Sequence, residues 1–242
     1  MNPKILIGTI YDNESYKGPS YSQIAKITSK SLIEYCNLYG YDYRIDSEKI
    51  DKARPISWSK VCMAQQELEN TQSFGFFDWQ PKYDWVWITD IDLYIVNHQI
   101  KLEDILDENY DVLMTCYSND INHLNTGSII YKNTEWTRNL LKEIYDSSKY
   151  PIEGQWVFFE QTALMNYYKS HPEEQKHFKM IDTRTINSHY QKGMDFLNVN
   201  YKEKDFVVHL AGTNNEYRLN TLTEFEKYRL NPENGFNIKI WE

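Results

Sequence analysis

Trp85-Val86-Trp87-Ile88-Thr89-Asp90-Ile91-Asp92 is an apolar, aromatic run that ends in two aspartates spaced two apart. Side chains at i and i+2 of an extended segment point the same way, so both carboxylates can reach one hard cation at the strand's end. The plainer reading is a buried strand closing in a polar turn, because aspartate is common in turns and a lone Asp-x-Asp occurs by chance. Alone, the motif favours the turn; its surroundings shift the balance.

Upstream, Lys4 to Ile10 reads as a first buried strand that opens into the polar loop Asp12 to Ser20. Ile24, Ile27, Ser31, Leu32, Tyr35 and Leu38 then recur at helical spacing, and Gly40 supplies a left-handed stop. Tyr41 to Ile45 reads as the second strand. Together these make a right-handed β-α-β start, the usual opening of a sheet that binds ligands at the carboxyl ends of its strands. Gly8-Thr9 lacks the G-x-G-x-x-G fingerprint, so a dinucleotide-binding enzyme is unsupported.

Around the aspartate pair the spacing predicts a helix over Trp58 to Leu68 and an aromatic, glycine-containing insertion from Phe74 to Tyr83. A short helix over Lys101 to Asp107 and strands at Asp111 to Thr115 and Gly127 to Tyr131 follow. Asn133-Thr134 caps a helix whose stripe of Trp136, Leu140, Leu141, Ile144 and Tyr145 reads as core. Further helices are expected over Glu160 to Tyr168 and Thr221 to Leu230, with a strand at Phe206 to His209 between them. No repeat, low-complexity tract or linker marks a boundary, so residues 1–242 read as one α/β domain.

The net charge of -9 disfavours a nucleic acid or an anionic membrane as partner, since either would be repelled by most of the protein's field. The 20 tyrosines and 7 tryptophans exceed what a core needs and suit stacking on sugars or bases. Cys36, Cys62 and Cys116 are odd in number, widely spaced and set among core-like neighbours, which reads as buried free thiols in a reducing compartment. The first strand begins so close to Met1 that no signal peptide is expected, and no stretch approaches the roughly 20 apolar residues of a membrane span. A soluble, cytoplasmic protein is expected, in which the formal sequon Asn13-Glu14-Ser15 carries no meaning.

Several segments line up in order with one enzyme family. Tyr35-Cys36 and Tyr39-Gly40-Tyr41-Asp42, Trp58-Ser59-Lys60, Trp85 to Asp92, Leu124 to Gly127 and Asn133-Thr134-Glu135-Trp136, Glu160-Gln161-Thr162-Ala163, and Val207 to Gly212 together occupy most of the chain. In that order and spacing the chain resembles the retaining glycosyltransferases that include plant xyloglucan xylosyltransferases and fungal galactosyl- and mannosyltransferases. The resemblance implies the GT-A fold, a mixed and mostly parallel sheet flanked by helices that binds a nucleotide sugar and a divalent metal.

The resemblance also implies roles. Asp90 and Asp92 match the family's D-x-D and His209 its metal-binding histidine, a set that favours Mn²⁺ over Mg²⁺. A metal held there neutralises charge on a departing diphosphate. Without the resemblance, His209 reads as a hydrogen-bonded core histidine. Lys60 matches a lysine beside the donor, and Asn125 and Gly127 match the family's LNxG, where an amide meets sugar hydroxyls and a missing side chain admits ligand. A tight turn before a strand explains Gly127 equally well. Thr9 and the neighbouring backbone fall where the nucleoside sits in this fold. Glu160-Gln161 matches an acidic-residue-then-glutamine pair near donor sugar and acceptor; a helix start, whose dipole glutamate complements, is the plainer reading. Retention needs either a nucleophile opposite the leaving group or same-face attack, and both stay open.

The chain departs from the family pattern in three places. The lysine that commonly follows His-x-x-Gly is missing after Gly212, where the first cation is Arg218. Glu160 stands where many relatives have aspartate, and eukaryotic relatives carry a membrane anchor that is not read here. The expected activity is metal-dependent retaining transfer of a hexose or pentose from a nucleotide diphosphate sugar, UDP-linked by preference, to a hydroxyl of a glycan or glycoconjugate. The alternative is a catalytically silent nucleotide-sugar or glycan binder on the same fold. A phosphohydrolase built on Asp90 and Asp92 lacks its further lysine and carboxylate motifs.

Overall fold

The computed structural model describes residues 2–12, 18–73, 79–147, 159–194 and 197–234. The sequon at Asn13 and part of the aromatic insertion, 74–78, lie outside them. The chain opens with β1 (Ile5–Ile10), α1 (Tyr21–Tyr39), β2 (Asp42–Asp46) and α2 (Ile56–Glu69). A small hairpin, β3 (Thr71–Ser73) and β4 (Trp79–Pro81), precedes β5 (Trp85–Asp90) and β6 (Leu93–Ile95). Then come β7 (Val112–Cys116), β8 (Leu124–Lys132), α3 (Glu135–Asp146) and α4 (Phe159–Ser170). The last elements are β9 (Phe178–Ile181), α5 (Thr183–Ile186), β10 (Val207–His209) and α6 (Asn215–Leu230).

The main sheet has six strands in the order β2-β1-β5-β8-β7-β9. β1 pairs parallel with β2 and β5, and β7 parallel with β9, whereas β8 runs antiparallel to both its neighbours. The mixed, mostly parallel α/β sheet expected from the sequence is therefore present. Its pleat explains why β5 reads as a continuous apolar run. Val86 and Ile88 face a layer made by α2, α3 and α4 through Val61, Ala64, Leu140, Leu141 and Leu164. Trp85 and Trp87 face the opposite layer, with Leu32, Tyr35 and Cys36 of α1. A central strand covered on both faces needs no polar alternation.

The reversal of β8 positions the site. Because it runs against β5, its opening residues lie beside the carboxyl end of β5, where Thr89 pairs with Ser128. A second, two-stranded sheet pairs β10 antiparallel with β6 and sets His209 opposite Leu93, one residue past Asp92.

α1 ends at Gly40, whose φ of 74° suits a residue without Cβ and whose N–H returns to the Cys36 carbonyl. Of the helix's expected stripe, Leu38 turns outward and is 61% exposed. Trp136 is likewise only half-buried. It stacks on His177 with ring centroids 4.1 Å apart and donates to Glu174 at 2.6 Å, so it seals an edge while Leu140, Leu141 and Ile144 fill the core. The expected short helix at Lys101 shrinks to a 3₁₀ turn, Leu102–Asp104, and α6 begins six residues earlier than its apolar spacing suggests, because Asn214 caps it by accepting from the Tyr217 N–H. Cys36, Cys62 and Cys116 are free. No helix among the described residues is long and apolar enough to cross a membrane.

One carboxylate clasps α1, α6 and β6. Glu226 accepts from Lys30 at 2.8 Å, from Arg229 at 2.9 Å and from the Tyr94 hydroxyl. Burial opposes its charge, but these donors prevail and hold its pKa below the ordinary glutamate value of 4.5. A depressed folded pKa contributes stability above the unfolded value, and that stability is lost as pH falls through the folded one. We expect Glu226→Gln to cost on the order of 1–3 kcal/mol in urea unfolding at pH 7. The gap should narrow as the pH falls below 4.5 and through the folded pKa; a pH-independent gap would show that the charge contributes nothing.

Candidate active site

A cleft of about 580 Å³ opens at the carboxyl ends of β1 and β5. Its walls include Lys60, Asp90, Asp92, Asn125, Gly127, Glu160, Gln161, His209, Gly212 and Arg218, so ten of the eleven site residues expected from the sequence meet in one place. Thr9 is the exception. The pleat of β1 turns it to the face of Ile5 and Ile7, where it is buried, and the following Ile10, Tyr11 and Asp12 line the cleft instead.

At the floor each aspartate divides its two oxygens. Asp90 gives Oδ1 to the Lys60 ammonium at 2.7 Å and holds Oδ2 3.6 Å from His209 Nε2. Asp92 gives Oδ2 to Arg218 Nε at 2.8 Å and holds Oδ1 3.3 Å from the same nitrogen. His209 Nε2 is buried with no hydrogen-bond partner. One atom from each residue thus converges on a common point, and the three lie within 4.8 Å of one another. Such an oxygen-oxygen-nitrogen set fits a divalent cation.

The charges interact strongly. Burial alone would raise the pKa values of Asp90 and Asp92, but Lys60 and His209 lower the first, and His209 and Arg218 the second. Burial would lower the pKa of His209, yet the carboxylates win and raise it to about 9. Its neighbour His189 is pushed down to about 3, first by burial and then by His209. Burial likewise opposes the charge of Lys60, but Asp90 and Glu160 raise its pKa above the usual lysine value.

Lys60 reaches the floor from α2 and also meets Glu160 Oε1 at 3.0 Å and the Thr126 carbonyl at 3.3 Å. Thr126 then organises the start of α4: its hydroxyl donates to Glu160 Oε1 at 3.0 Å and its N–H to Gln161 Oε1 at 3.1 Å. Glu160 Oε2 is buried without a hydrogen-bond partner. Gly127 is needed for space, because a Cβ there would lie 2.2 Å from His209 Cε1 and 2.8 Å from Asp90 Oδ2. Arg218, in the first turn of α6, is steadied by Asn215 at 2.7 Å and Tyr21 at 3.2 Å. Gly212, with φ of 71°, turns the chain from β10 toward α6.

Sequence reasoning missed Thr126, although it lies inside the Leu124–Gly127 motif. It also missed Tyr117, Asn187 and His189. Tyr117 and His189 share a 2.8 Å hydrogen bond beside His209, and Asn187 accepts from His209 Nδ1 at 2.7 Å. The run Asn187-Ser188-His189 follows the four-residue helix α5 and has no apolar period to point to it.

The mixed, mostly parallel sheet, with paired aspartates at the end of its central strand β5 beneath the cleft, has the GT-A fold seen in solved glycosyltransferases. The fold matches a glycosyltransferase involved in glycosylation of the major capsid of PBCV-1, with a TM-score of 0.67 and 16% identity, covering 90% of this chain and 98% of that one. It also matches the glycosyltransferase GlyE of Streptococcus pneumoniae, with a TM-score of 0.59 and 14% identity over 96% of this chain and 63% of that one.

More particularly, the sequence matches the galactosyl transferase GMA12/MNN10 family over residues 1–111 and 107–220, and the chain belongs to that family. It is 23% identical over 250 residues to an uncharacterized alpha-1,2-galactosyltransferase of Schizosaccharomyces pombe, covering 88% of this chain and 70% of that protein. It is 25% identical over 229 residues to the probable alpha-1,6-mannosyltransferase MNN10 of Saccharomyces cerevisiae, covering 79% of this chain and 56% of that protein.

Proposed function

We propose that this chain is a single catalytic domain, a metal-dependent retaining glycosyltransferase. It moves a hexose or pentose from a nucleotide diphosphate sugar, UDP-linked by preference, to a hydroxyl of a glycan or glycoconjugate. The observation that carries this reading is the division of oxygens at the floor. Asp90 and Asp92 each keep one oxygen for a cation and spend the other on a fixed positive side chain, while His209 Nε2 waits unpaired between them.

The residues divide the work. Asp90, Asp92 and His209 would hold Mn²⁺, or Mg²⁺ as the alternative, and such an ion supplies charge neutralisation to a departing diphosphate. Lys60 and Arg218 flank that position and add fixed positive charge in a partly desolvated site, where it acts most strongly. Glu160, anchored through Oε1, keeps Oε2 as the atom that can stabilise positive charge developing on the donor sugar. Gln161, anchored by the Thr126 N–H, presents an amide that orients hydroxyls. Tyr11, Tyr21 and Phe159 give the cleft walls aromatic faces on which sugar or base can lie. The three unpaired thiols fit a reducing, cytoplasmic setting.

Calorimetric titration with UDP and with GDP, in Mn²⁺ and in chelator, tests the donor class. Metal-dependent binding of UDP that is lost in Asp90→Ala is the expected result. Binding without turnover of any UDP-sugar would support the silent relative, and binding of neither nucleotide would overturn the donor assignment.

A further inference from the structure

The orientation of the metal-facing imidazole can be deduced from one backbone group. The N–H of Gly127 can only donate, and it donates to the side-chain oxygen of Asn125 at 2.9 Å. That bond fixes which end of the Asn125 amide is oxygen. The same oxygen lies 3.1 Å from one end of the Asn187 amide, which must therefore be the donating Nδ2. Nδ2 also donates to the Thr115 hydroxyl at 2.8 Å. The other end of the Asn187 amide is then its oxygen, and it sits 2.7 Å from His209 Nδ1, which must carry a hydrogen. Once a cation displaces any proton from Nε2, the imidazole that keeps its hydrogen on Nδ1 has its lone pair on Nε2, the atom that faces Asp90 and Asp92.

We propose that Asn187 is the positioning residue of the cation site: its carbonyl fixes the tautomer and ring angle of His209 so that Nε2 is the ligand atom. This rests on the metal-dependent reading above. Asn187 is fully buried, and it is held at the end of α5 by its own N–H, which donates to the Thr183 carbonyl at 2.8 Å. Every hydrogen-bonding atom of its side chain is engaged, and the chain of bonds runs through Asn125, a residue expected from the sequence to touch the donor. Asn125 therefore spends its oxygen on aligning the floor, and its Nδ2 is what remains, 3.4 Å from the Tyr117 hydroxyl. An imidazole whose second nitrogen is hydrogen-bonded in this way is the better and more rigid ligand.

The test is titration of the full chain with Mn²⁺ alone, in wild type, Asn187→Asp and Asn187→Leu, beside ¹⁵N NMR of His209 in the Mg²⁺-loaded wild type. Asn187→Asp keeps an acceptor oxygen for Nδ1–H, whereas Asn187→Leu removes it at similar volume. We expect Asn187→Leu to weaken Mn²⁺ by roughly 10- to 100-fold, and Asn187→Asp to stay within a few-fold of wild type. The NMR spectrum should show the proton on Nδ1.

Wild-type affinity in folded Asn187→Leu would overturn the proposal, as would equal losses in both variants, since packing alone would then explain them. Should Asn187→Leu fail to fold, the wild-type spectrum decides, and a proton on Nε2 refutes the assignment. A wild type that binds neither Mn²⁺ nor Mg²⁺ would instead remove the metal-dependent reading and this one with it.

Discussion

Asp92→Asn should lower sugar transfer by about 10³-fold or more, equivalent to ~4 kcal/mol of transition-state stabilisation, while the protein remains folded. The substitution leaves an oxygen that can still accept from Arg218 Nε but removes the charge that Oδ1 directs toward His209. Alanine is the harsher change. Asp92 is 5% exposed and ties both His209 and Arg218, so Asp92→Ala leaves a nearly buried guanidinium without its carboxylate, at a cost of roughly 3–5 kcal/mol of stability. Thermal melts separate the two variants, and donor turnover with Mn²⁺ present reads the chemistry. Undiminished turnover in Asp92→Asn would remove this aspartate from the metal site.

Gly127→Ala is expected to be nearly as damaging, although it adds one methyl group. The new carbon would lie 2.2 Å from His209 Cε1, 2.8 Å from Asp90 Oδ2 and 2.9 Å from Asn125 Oδ1, all well inside contact distance. Each of these groups is held in place. The imidazole is 1% exposed and hydrogen-bonded behind by Asn187, Asp90 is held by Lys60, and the Asn125 oxygen takes two hydrogen bonds. Overpacking should cost about 1–3 kcal/mol and displace at least one ligand atom. Mn²⁺ titration should then show affinity down by about 100-fold or more, in line with the loss of an oriented ligand. Wild-type affinity together with a wild-type melting temperature would mean that the site yields easily and that Gly127 is a turn residue only.

How much of this was legible depends on how far each signal travels along the chain. Asp90 and Asp92 could be read because the pair is local, although β5 ends at Asp90 and it is the turn after the strand, not the strand's period of two, that brings Asp92 alongside. The apolar stripe of α1 and the glycine that stops it were legible for the same reason. Bringing His209, Lys60 and Glu160 to those aspartates required the family pattern, since no local rule links residues so far apart. β6 and β9, with three and four residues, are too short to show a period, so the strand that carries His209's register partner went unseen. Thr9 was placed by analogy of fold, and the pleat of β1 turned it away from the cleft. Asn187 left no trace in sequence because its importance is entirely in what its amide faces after folding. Leu38 shows the opposite error: helical spacing marks a stripe but does not say where the stripe runs past its partner.

The reversed strand β8 and the late pairing of β10 with β6 also set the order in which this protein becomes competent. The floor is stitched from α2, β5, β8, α4, β10 and α6, and its last ligand arrives only after most of the chain has been made. During synthesis or refolding, the sheet can gather its helices while Asp90 and Asp92 still lack their histidine and arginine. Closing so long a loop costs little more equilibrium entropy than closing a shorter one, but it makes for slow searching. Any cation held there would therefore be taken up only after Trp85 and Trp87 are buried, and its uptake would report that assembly is complete.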